Sequence, residues 1–479
     1  MEKMKIGLNV PLFAASLVAI FIGAPLLGLT GVWGFLVQNQ IVPPFLKALH
    51  AHISWWSMVI LIASLILPSI PLKPILRKTV IAGCFVAMPL YVLAIILHYT
   101  FAEPALVSFG FLGSYYISAF GLVGFLIEIA FFGAMTAVSL LAAGFKIPFL
   151  TAGNSPQSKY DIASEIEIPR KAFLVYAAFL LIAVALGLFI LNQFTLQHKP
   201  VTPAALINFH THIGFFAIGS LMMILAASAV GAAEWLVGMI LRLSVVALAA
   251  TAIGFTAFIL LDTHSVVWVL PAVFYFAVMI LAWLALWGKF GLIPRGNHFH
   301  FVRGALIFIW GALLIFIAVG PYLALNYNTN PNLTVTYKQP ANPLNVGPYP
   351  DSTAYSGTAP SKKMPRGLEN LHLSPGSWSH VAIFWLIILL VFGEKIFSLV
   401  GKPNLIFFLA VTVAAAPVIN AIGRIGAWVN LPGGPGPLLL VAHPLKTVNI
   451  LMLFIIVAVW MKKRRRKNQE SADLKKICT

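Results

Sequence analysis

Twelve apolar segments, each about as long as a bilayer is thick, constrain the fold of this chain. A run of about 20 apolar residues crosses a bilayer as an α-helix, because lipid offers no partner for open backbone groups. Hydrophobic residues make up 60% of the chain and charged residues only 9%. The sequence predicts an all-α, polytopic membrane bundle that forms a single transmembrane domain over residues 1–479. The predicted spans are 6–28, 49–70, 78–101, 116–144, 172–194, 206–231, 237–261, 265–287, 302–325, 378–399, 404–423 and 439–461.

Lysine and arginine residues lie between the spans and predict the orientation of the bundle. The net charge of +18 is distributed over loops and does not form one face, so nucleic acid is not expected as a partner. Positive loops follow spans 2, 4 and 8, and a basic tail, 462–479, follows span 12. The positive-inside rule predicts a multi-pass protein of the plasma membrane (the cell membrane), with both termini cytoplasmic and an extracytoplasmic loop at 326–377. The two cysteines, Cys84 and Cys478, exclude a disulfide framework.

Two of the predicted spans begin with the same arrangement of histidines. The stretch "IVPPFLKALHAHI" holds His50 and His52, and "VTPAALINFHTHI" holds His210 and His212. The two arrangements are 160 residues apart, which corresponds to four spans. A histidine motif that recurs at this spacing predicts three groups of four spans. In the third group, "SPGSWSHVAIFW" predicts His380 in register with His52 and His212, with Trp378 in the place of the first histidine.

The order of the spans predicts the depth of each histidine. Counted from a cytoplasmic N-terminus, one set lies at the outer ends of spans: His50, His52, His98, His210, His212, His264, His380 and His443. His198 and His372 are predicted in outer loops close to this level. His298 and His300 are predicted on the cytoplasmic side. Histidines also collect at membrane interfaces as amphipathic side chains, but convergence of eight on one level favours a ligand-binding role.

The spacing within each histidine pair indicates the kind of site. Residues i and i+2 point about 200° apart around a helix, so His50 and His52 cannot reach one ion from one face. They can serve two sites on opposite sides of the helix. This suits haem iron, which takes axial imidazoles from facing helices, better than a compact zinc site. The chain has no CxxCH motif, so the predicted haem is non-covalent, of b, a or o type.

Few other ionisable residues lie within the predicted spans. Such residues are functional candidates by default, because a charge in the hydrocarbon region is costly. They are Glu128, Arg242, Asp262, Glu394 and Lys446. Arg242 and Glu394 lie near predicted cytoplasmic ends, where snorkelling also explains them.

Twelve spans in three groups of four, with histidines at the outer ends of spans 2, 6 and 10, resemble subunit I of the haem–copper oxidase superfamily, including nitric oxide reductases and NnrS-like proteins. In that family, histidines of spans 2 and 10 hold haems, and histidines of spans 6 and 7 hold a second metal. The resemblance implies haem ligands among His50, His52 and His380, and second-metal ligands among His210, His212 and His264. His98 and His443, at the same depth, are further candidate cofactor ligands.

The sequence also departs from the family pattern. Span 6 lacks an HPEVY-like motif, span 7 lacks adjacent histidines, and span 10 is predicted to hold one histidine. The stretch "NHFHFVRGALIFIW" at 297–310 is similar to the oxidase span 10 signature, but it is predicted at the cytoplasmic start of span 9. A terminal oxidase or nitric oxide reductase activity therefore stays an open expectation.

These patterns predict a membrane redox protein that binds haem near the outer face and takes part in respiratory electron transfer. Copper or non-haem iron is an alternative second metal. The expected partners are the lipid bilayer, a quinol, cytochrome or blue-copper electron donor, and other membrane subunits. A different class of function is left open: a cofactor-free membrane anchor or transporter-like subunit that docks an extracytoplasmic cytochrome or copper protein.

Overall fold

The computed structural model describes residues 2–26, 44–101, 105–108, 114–152, 158–196, 201–260, 266–288, 298–327, 334–336, 355–356, 366–428 and 436–477. Twelve α-helices occur in these ranges, and 11 of them are long and apolar enough to cross a membrane. The helices are α1 (Val10–Phe21), α2 (Pro44–Ile66), α3 (Pro74–Phe101), α4 (Ala119–Ala142), α5 (Arg170–Leu196), α6 (Ala204–Ala229), α7 (Glu234–Leu260), α8 (Val266–Trp287), α9 (His298–Tyr327), α10 (Arg366–Val400), α11 (Leu405–Trp428) and α12 (Gly436–Ile477). The predicted all-α membrane bundle is confirmed.

The N-terminal segment is not helical from residue 6 as predicted. Residues Lys3–Asn9 form strand β1, which pairs antiparallel with β4, Asp161–Pro169. Helix α1 begins only after Asn9, whose side chain accepts a hydrogen bond from the Leu12 N–H, and Pro11 occupies the first turn. A polar cap followed by proline is a strong helix start, so the strand and the helix separate at this point. Among the helices that the structure describes, only α1 is shorter than a full span, and it continues into a π-helical turn, Ile22–Leu26.

Short strands mark both ends of the bundle. The β1–β4 pair lies at the end that carries the chain's N-terminus and the α4–α5 connection, here called the inner end. At the opposite, outer end, β2 (Ala105–Ser108) pairs with β3 (Ser114–Ile117) between α3 and α4. A second outer sheet joins β5 (Val201–Pro203), β6 (Thr334–Thr336) and β7 (Tyr355–Ser356).

Two predicted segment boundaries differ from the structure. Helix α10 begins at Arg366, so the last part of the predicted 326–377 loop belongs to a helix. Pro375 favours a helix boundary in the sequence, but α10 runs through it. The basic tail predicted at 462–479 is an extension of α12, which reaches Ile477.

The helices pack in a pattern that occurs three times. Helix α1 packs on α2, α5 on α6, and α9 on α10; α2 likewise packs on α4, α6 on α8, and α10 on α12. This agrees with three groups of four helices. Helices α6 and α10 also contact each other, which brings the histidine-bearing helices of the second and third groups together. Large aromatic residues fill the interior, with Trp56, Trp310 and Trp385 fully buried.

A buried ion pair ties the inner end together. Asp161, at the start of β4, pairs with Arg77 of α3, and their side chains are 0% and 7% exposed. The Asn9 side-chain amide donates to Asp161 Oδ1 at 2.8 Å, and the Ser158 N–H donates to Oδ2 at 2.9 Å. A carboxylate buried with a cation and two further donors is compensated, as a buried charge must be.

Candidate haem-ligating histidines

Two pairs of histidines from different helices face each other at the outer end. The ring centroids of His52 on α2 and His210 on α6 are 6.2 Å apart, and the ring planes are inclined by 33°. The centroids of His212 on α6 and His372 on α10 are 6.0 Å apart, with nearly parallel rings at 19°. Helix α6 therefore offers one imidazole to each neighbour. This confirms that histidines at i and i+2 serve two different sides of their helix.

A backbone carbonyl of the preceding helix fixes one histidine in each group. Since a carbonyl oxygen only accepts, Nδ1 of each of these rings is the donor, and Nε2, on the other side of the ring, carries the lone pair that binds metals. Metal-ligating histidines are commonly held in this way. The three bonds are His50 Nδ1 to Gly23 O (2.6 Å), His210 Nδ1 to Ala183 O (2.7 Å) and His372 Nδ1 to Phe316 O (3.0 Å).

Two glycines make room for the rings held in this way. Gly187 lies four residues after the acceptor of His210, and Gly320 four residues after the acceptor of His372. A Cβ at Gly187 would lie 2.9 Å from His210 Cε1, and one at Gly320 would lie 2.6 Å from His372 Cε1. Both separations are shorter than an ordinary carbon–carbon contact, so the glycines allow the close approach of the imidazoles.

The predicted register of the third group is wrong. His372 was expected in an outer loop and His380 in the place of His52, but His372 makes the interhelical bond that His50 and His210 make. The three stretches align as "ALHAHISWW", "NFHTHIGFF" and "NLHLSPGSW". Ser374 thus stands where the other groups have their second histidine. The match was missed because span 10 was predicted at 378–399, after this stretch.

His380 lies deeper in the bundle than the two pairs. It is two turns beyond His372 on α10, is 5% exposed, and bonds through Nδ1 to Gly376 O of its own helix at 2.8 Å. Its ring contacts Phe215 at a centroid distance of 5.8 Å. The structure therefore places it beneath His372 and out of register with His52.

The other predicted cofactor ligands have separate surroundings. His98 Nδ1 lies 2.8 Å from the hydroxyl of Ser118, the residue that caps α4, so His98 ties the end of α3 to the start of α4. His50 interacts electrostatically with Lys446 on α12. Lys446 is 6% exposed and its ammonium lies 5.0 Å from the centre of the Trp378 ring. His443 lies one turn before Lys446 at the outer part of α12.

The predicted second-metal group of His210, His212 and His264 is not assembled by the described residues. His210 and His212 face different partners, as their spacing requires. His264 lies outside the described residues, as do His198 and Asp262. Within the part of the chain that the structure describes, no three histidine, cysteine, aspartate or glutamate side chains converge on a common point. Four of the described imidazoles form two pairs, His52 with His210 and His212 with His372.

His298 and His300 lie at the opposite end of the bundle from the two pairs. Helix α9 begins at His298, and Phe316, which binds His372, follows 18 residues later, about 27 Å along the helix axis. This position agrees with their prediction at the start of span 9. The charged residues Arg242 and Glu394 are exposed, which agrees with the snorkelling interpretation.

The separation of the rings fits one metal ion between each pair. With a metal–nitrogen bond of about 2.0 Å, imidazoles on opposite sides of an ion have centroids roughly 6.3 Å apart, against roughly 5 Å at a tetrahedral ion. The observed 6.2 and 6.0 Å are close to the separation expected for imidazoles on opposite sides of one ion. Neither a protein-family model, nor a curated protein, nor a solved structure matches this chain.

Proposed function

We propose that this chain is a membrane redox protein that binds two haems non-covalently, one between His52 and His210 and one between His212 and His372. The centroid separation in both pairs, which is close to that expected for two imidazoles bound to one ion, carries the proposal. The carbonyl bonds that orient His210 and His372 support it, because such bonds fix the tautomer in which Nε2 is the ligand. The resemblance to haem–copper oxidases points the same way, although the ligands are paired differently from that family's pattern.

The chain's own residues would bind and orient the haems and keep water away from them. Gly187 and Gly320 leave space for the rings of His210 and His372, which would be the haem ligands, and the carbonyls of Ala183 and Phe316 hold these rings. Phe216 and Phe255 lie against His212, at centroid distances of 5.7 and 6.0 Å, and shield it. When bound, haem supplies one-electron transfer at potentials set by axial ligands, hydrogen bonds and burial. Two such sites flanking α6 suit electron transfer between neighbouring centres.

The proposed membrane is the plasma membrane, and the proposed orientation places the histidine-rich end outside the cell. Positive residues concentrate at the inner end, which supports a cytoplasmic inner end and a histidine-rich outer end on the other side of the plasma membrane. An extracytoplasmic cytochrome, a blue-copper protein or a membrane quinol is then the electron donor, with other membrane subunits as further partners. Labelling with an impermeant thiol reagent tests the direction. Ser356→Cys, in β7, should be labelled on intact cells, and protection from the reagent there would reverse the orientation.

Optical spectra of the purified chain test haem binding. The wild type should show a Soret band and a pyridine haemochrome, and His210→Ala or His372→Ala should each remove part of both, because an axial bond is lost. His298→Ala is the matched control, a histidine on a helix of the same bundle at the inner end, and should leave the spectrum unchanged. A wild-type chain without a Soret band, expressed in cells supplied with haem, would refute the proposal.

A further inference from the structure

The first histidine pair has an acidic neighbour that the haem-binding proposal does not use. Glu128 on α4 is half-buried within the bundle, at a depth where an isolated charge is costly. It interacts electrostatically with His52 and accepts a hydrogen bond from Tyr91 of α3. Three helices of the first group thus contribute to one polar cluster beside the His52–His210 pair.

Aromatic packing fixes the register that brings Glu128 to His52. Trp56 of α2 stacks on Phe131 of α4 with a centroid distance of 4.3 Å and an inclination of 3°. The same indole contacts Tyr91 at 4.7 Å. Residues three or four apart share a helix face, so His52 lies one turn above Trp56, and Glu128 lies one turn above Phe131. Because α2 and α4 both run from the outer end inwards, the imidazole and the carboxylate lie at one level.

The side chain of Glu128 can accept a hydrogen bond from the His52 ring, as backbone carbonyls do from the other fixed histidines. His50, His210 and His372 each use a carbonyl of the preceding helix. When Glu128 is ionised, its carboxylate is a stronger acceptor than a carbonyl, and it also places a negative charge near whatever the other nitrogen binds. A negative charge stabilises the oxidised, more positive state of an iron centre. Tyr91, buried at 6% exposure, in turn fixes the carboxylate.

We propose that Glu128 is a positioning residue for His52, which orients this imidazole through the nitrogen that faces away from the metal and lowers the reduction potential of the His52–His210 site. This inference rests on the proposed function, since it requires a haem between the two histidines. The ligand is the iron of a haem group, and Glu128 does not touch it. The His212–His372 site, held from α6 and α10, serves as an internal reference in the same molecule.

Redox titration of Glu128→Gln in the full-length chain tests the inference. The amide keeps the shape of the carboxyl group but removes its charge. The ferrous-to-ferric ratio of the first site at a fixed potential should rise about tenfold, equivalent to about 59 mV for one electron. The potential of the second site should stay at its wild-type value. Glu394→Gln, an exposed glutamate on α10, is the control and should change neither potential.

A second variant separates charge from orientation. Glu128→Ala removes both and should also lower the haem occupancy of the first site, since loss of an orienting partner typically costs 10–100-fold in metal affinity. Glu128→Asp should restore part of the potential. If Glu128→Gln and Glu128→Ala leave both potentials and the occupancy unchanged while His52→Ala removes the signal, the role of Glu128 is wrong and haem binding stands. If the wild type binds no haem, both proposals fall.

Discussion

The two ends of the bundle both bury polar groups, but they hold them in different ways. At the inner end, Asp161 is bonded to a cation, an amide and a backbone N–H, so its charge is compensated within the protein. At the outer end, His210 and His372 are each fixed through Nδ1 by a carbonyl, and their rings face another histidine. The Asp161 carboxylate is bonded only to protein groups, whereas His210 and His372 use one ring nitrogen for a carbonyl and face a second histidine with their rings.

Buried polar residues of one bundle can serve the stability of the fold or the chemistry of a site, and the geometry of their partners separates the two roles. Removing a group that is bonded only to other protein groups, such as Asp161, should lower the stability of the fold without altering any cofactor signal. Removing an outer imidazole should alter the cofactor signal and cost less stability.

The largest effect is expected from the histidine pairs. His52→Ala and His210→Ala should each abolish the same haem, because either change removes one axial bond to one iron. The double variant should therefore lose no more than either single variant. His52→Ala combined with His372→Ala should remove both haems. Haem-to-protein ratios of the purified variants measure this, and additive losses within one pair would show that the pairing is wrong.

Breaking the inner ion pair should destabilise the fold and leave the haems in place. Asp161→Asn leaves the Arg77 charge buried without its partner, which typically costs about 3–5 kcal/mol. Thermal unfolding in detergent should show a markedly lower midpoint, while the haem-to-protein ratio of the folded fraction stays at the wild-type value. Loss of haem at unchanged thermal stability would instead place Asp161 in the cofactor machinery.

A smaller effect is expected from substitution of Gly320, which lies against the His372 ring. A methyl group at Gly320 would press on the imidazole, and overpacking of this kind costs about 1–3 kcal/mol. Gly320→Ala should weaken the haem signal of the second pair and leave that of the first pair unchanged. Gly304→Ala on the same helix, where a Cβ meets nothing within 4 Å, is the matched control. Equal spectra for the two variants would contradict the role of Gly320.

The smallest effect is expected from an exposed ion pair at the inner end. The hydrogen bond and charge of Lys5 lower the pKa of Glu165, but these side chains are 56% and 77% exposed. A carboxyl group whose pKa is lowered in the folded state stabilises the fold at pH values above its unfolded pKa. This stabilisation is lost as the pH falls through the folded pKa. Because solvent screens the pair, Lys5→Met should shift neither the unfolding midpoint at neutral pH nor its acid dependence measurably. A clear shift in either would show that the β1–β4 pair depends on this contact.

The sequence predicted the positions of the helices better than it predicted the candidate site. Apolar length predicted every helix because the bilayer imposes it, and the i, i+2 spacing correctly predicted that His210 and His212 face opposite ways. The first strand was missed, since Lys3–Asn9 merges into an apolar run whose true start is set by Asn9 and Pro11. His372 was misplaced because the predicted span 10 began at residue 378, whereas the helix begins at Arg366. The carbonyls that hold the imidazoles carry no sequence signal, although Gly187 and Gly320 mark their neighbourhood.

Electron paramagnetic resonance of the oxidised, purified chain tests most directly whether each histidine pair holds a haem. Two opposed imidazoles give low-spin ferric iron, so integration of the low-spin signals should yield two haems per chain in the wild type. It should yield one in His210→Ala or His372→Ala, and none when both are changed. An absence of low-spin signal in the wild type, or a signal unaffected by the loss of both His210 and His372, would contradict haem binding at these pairs.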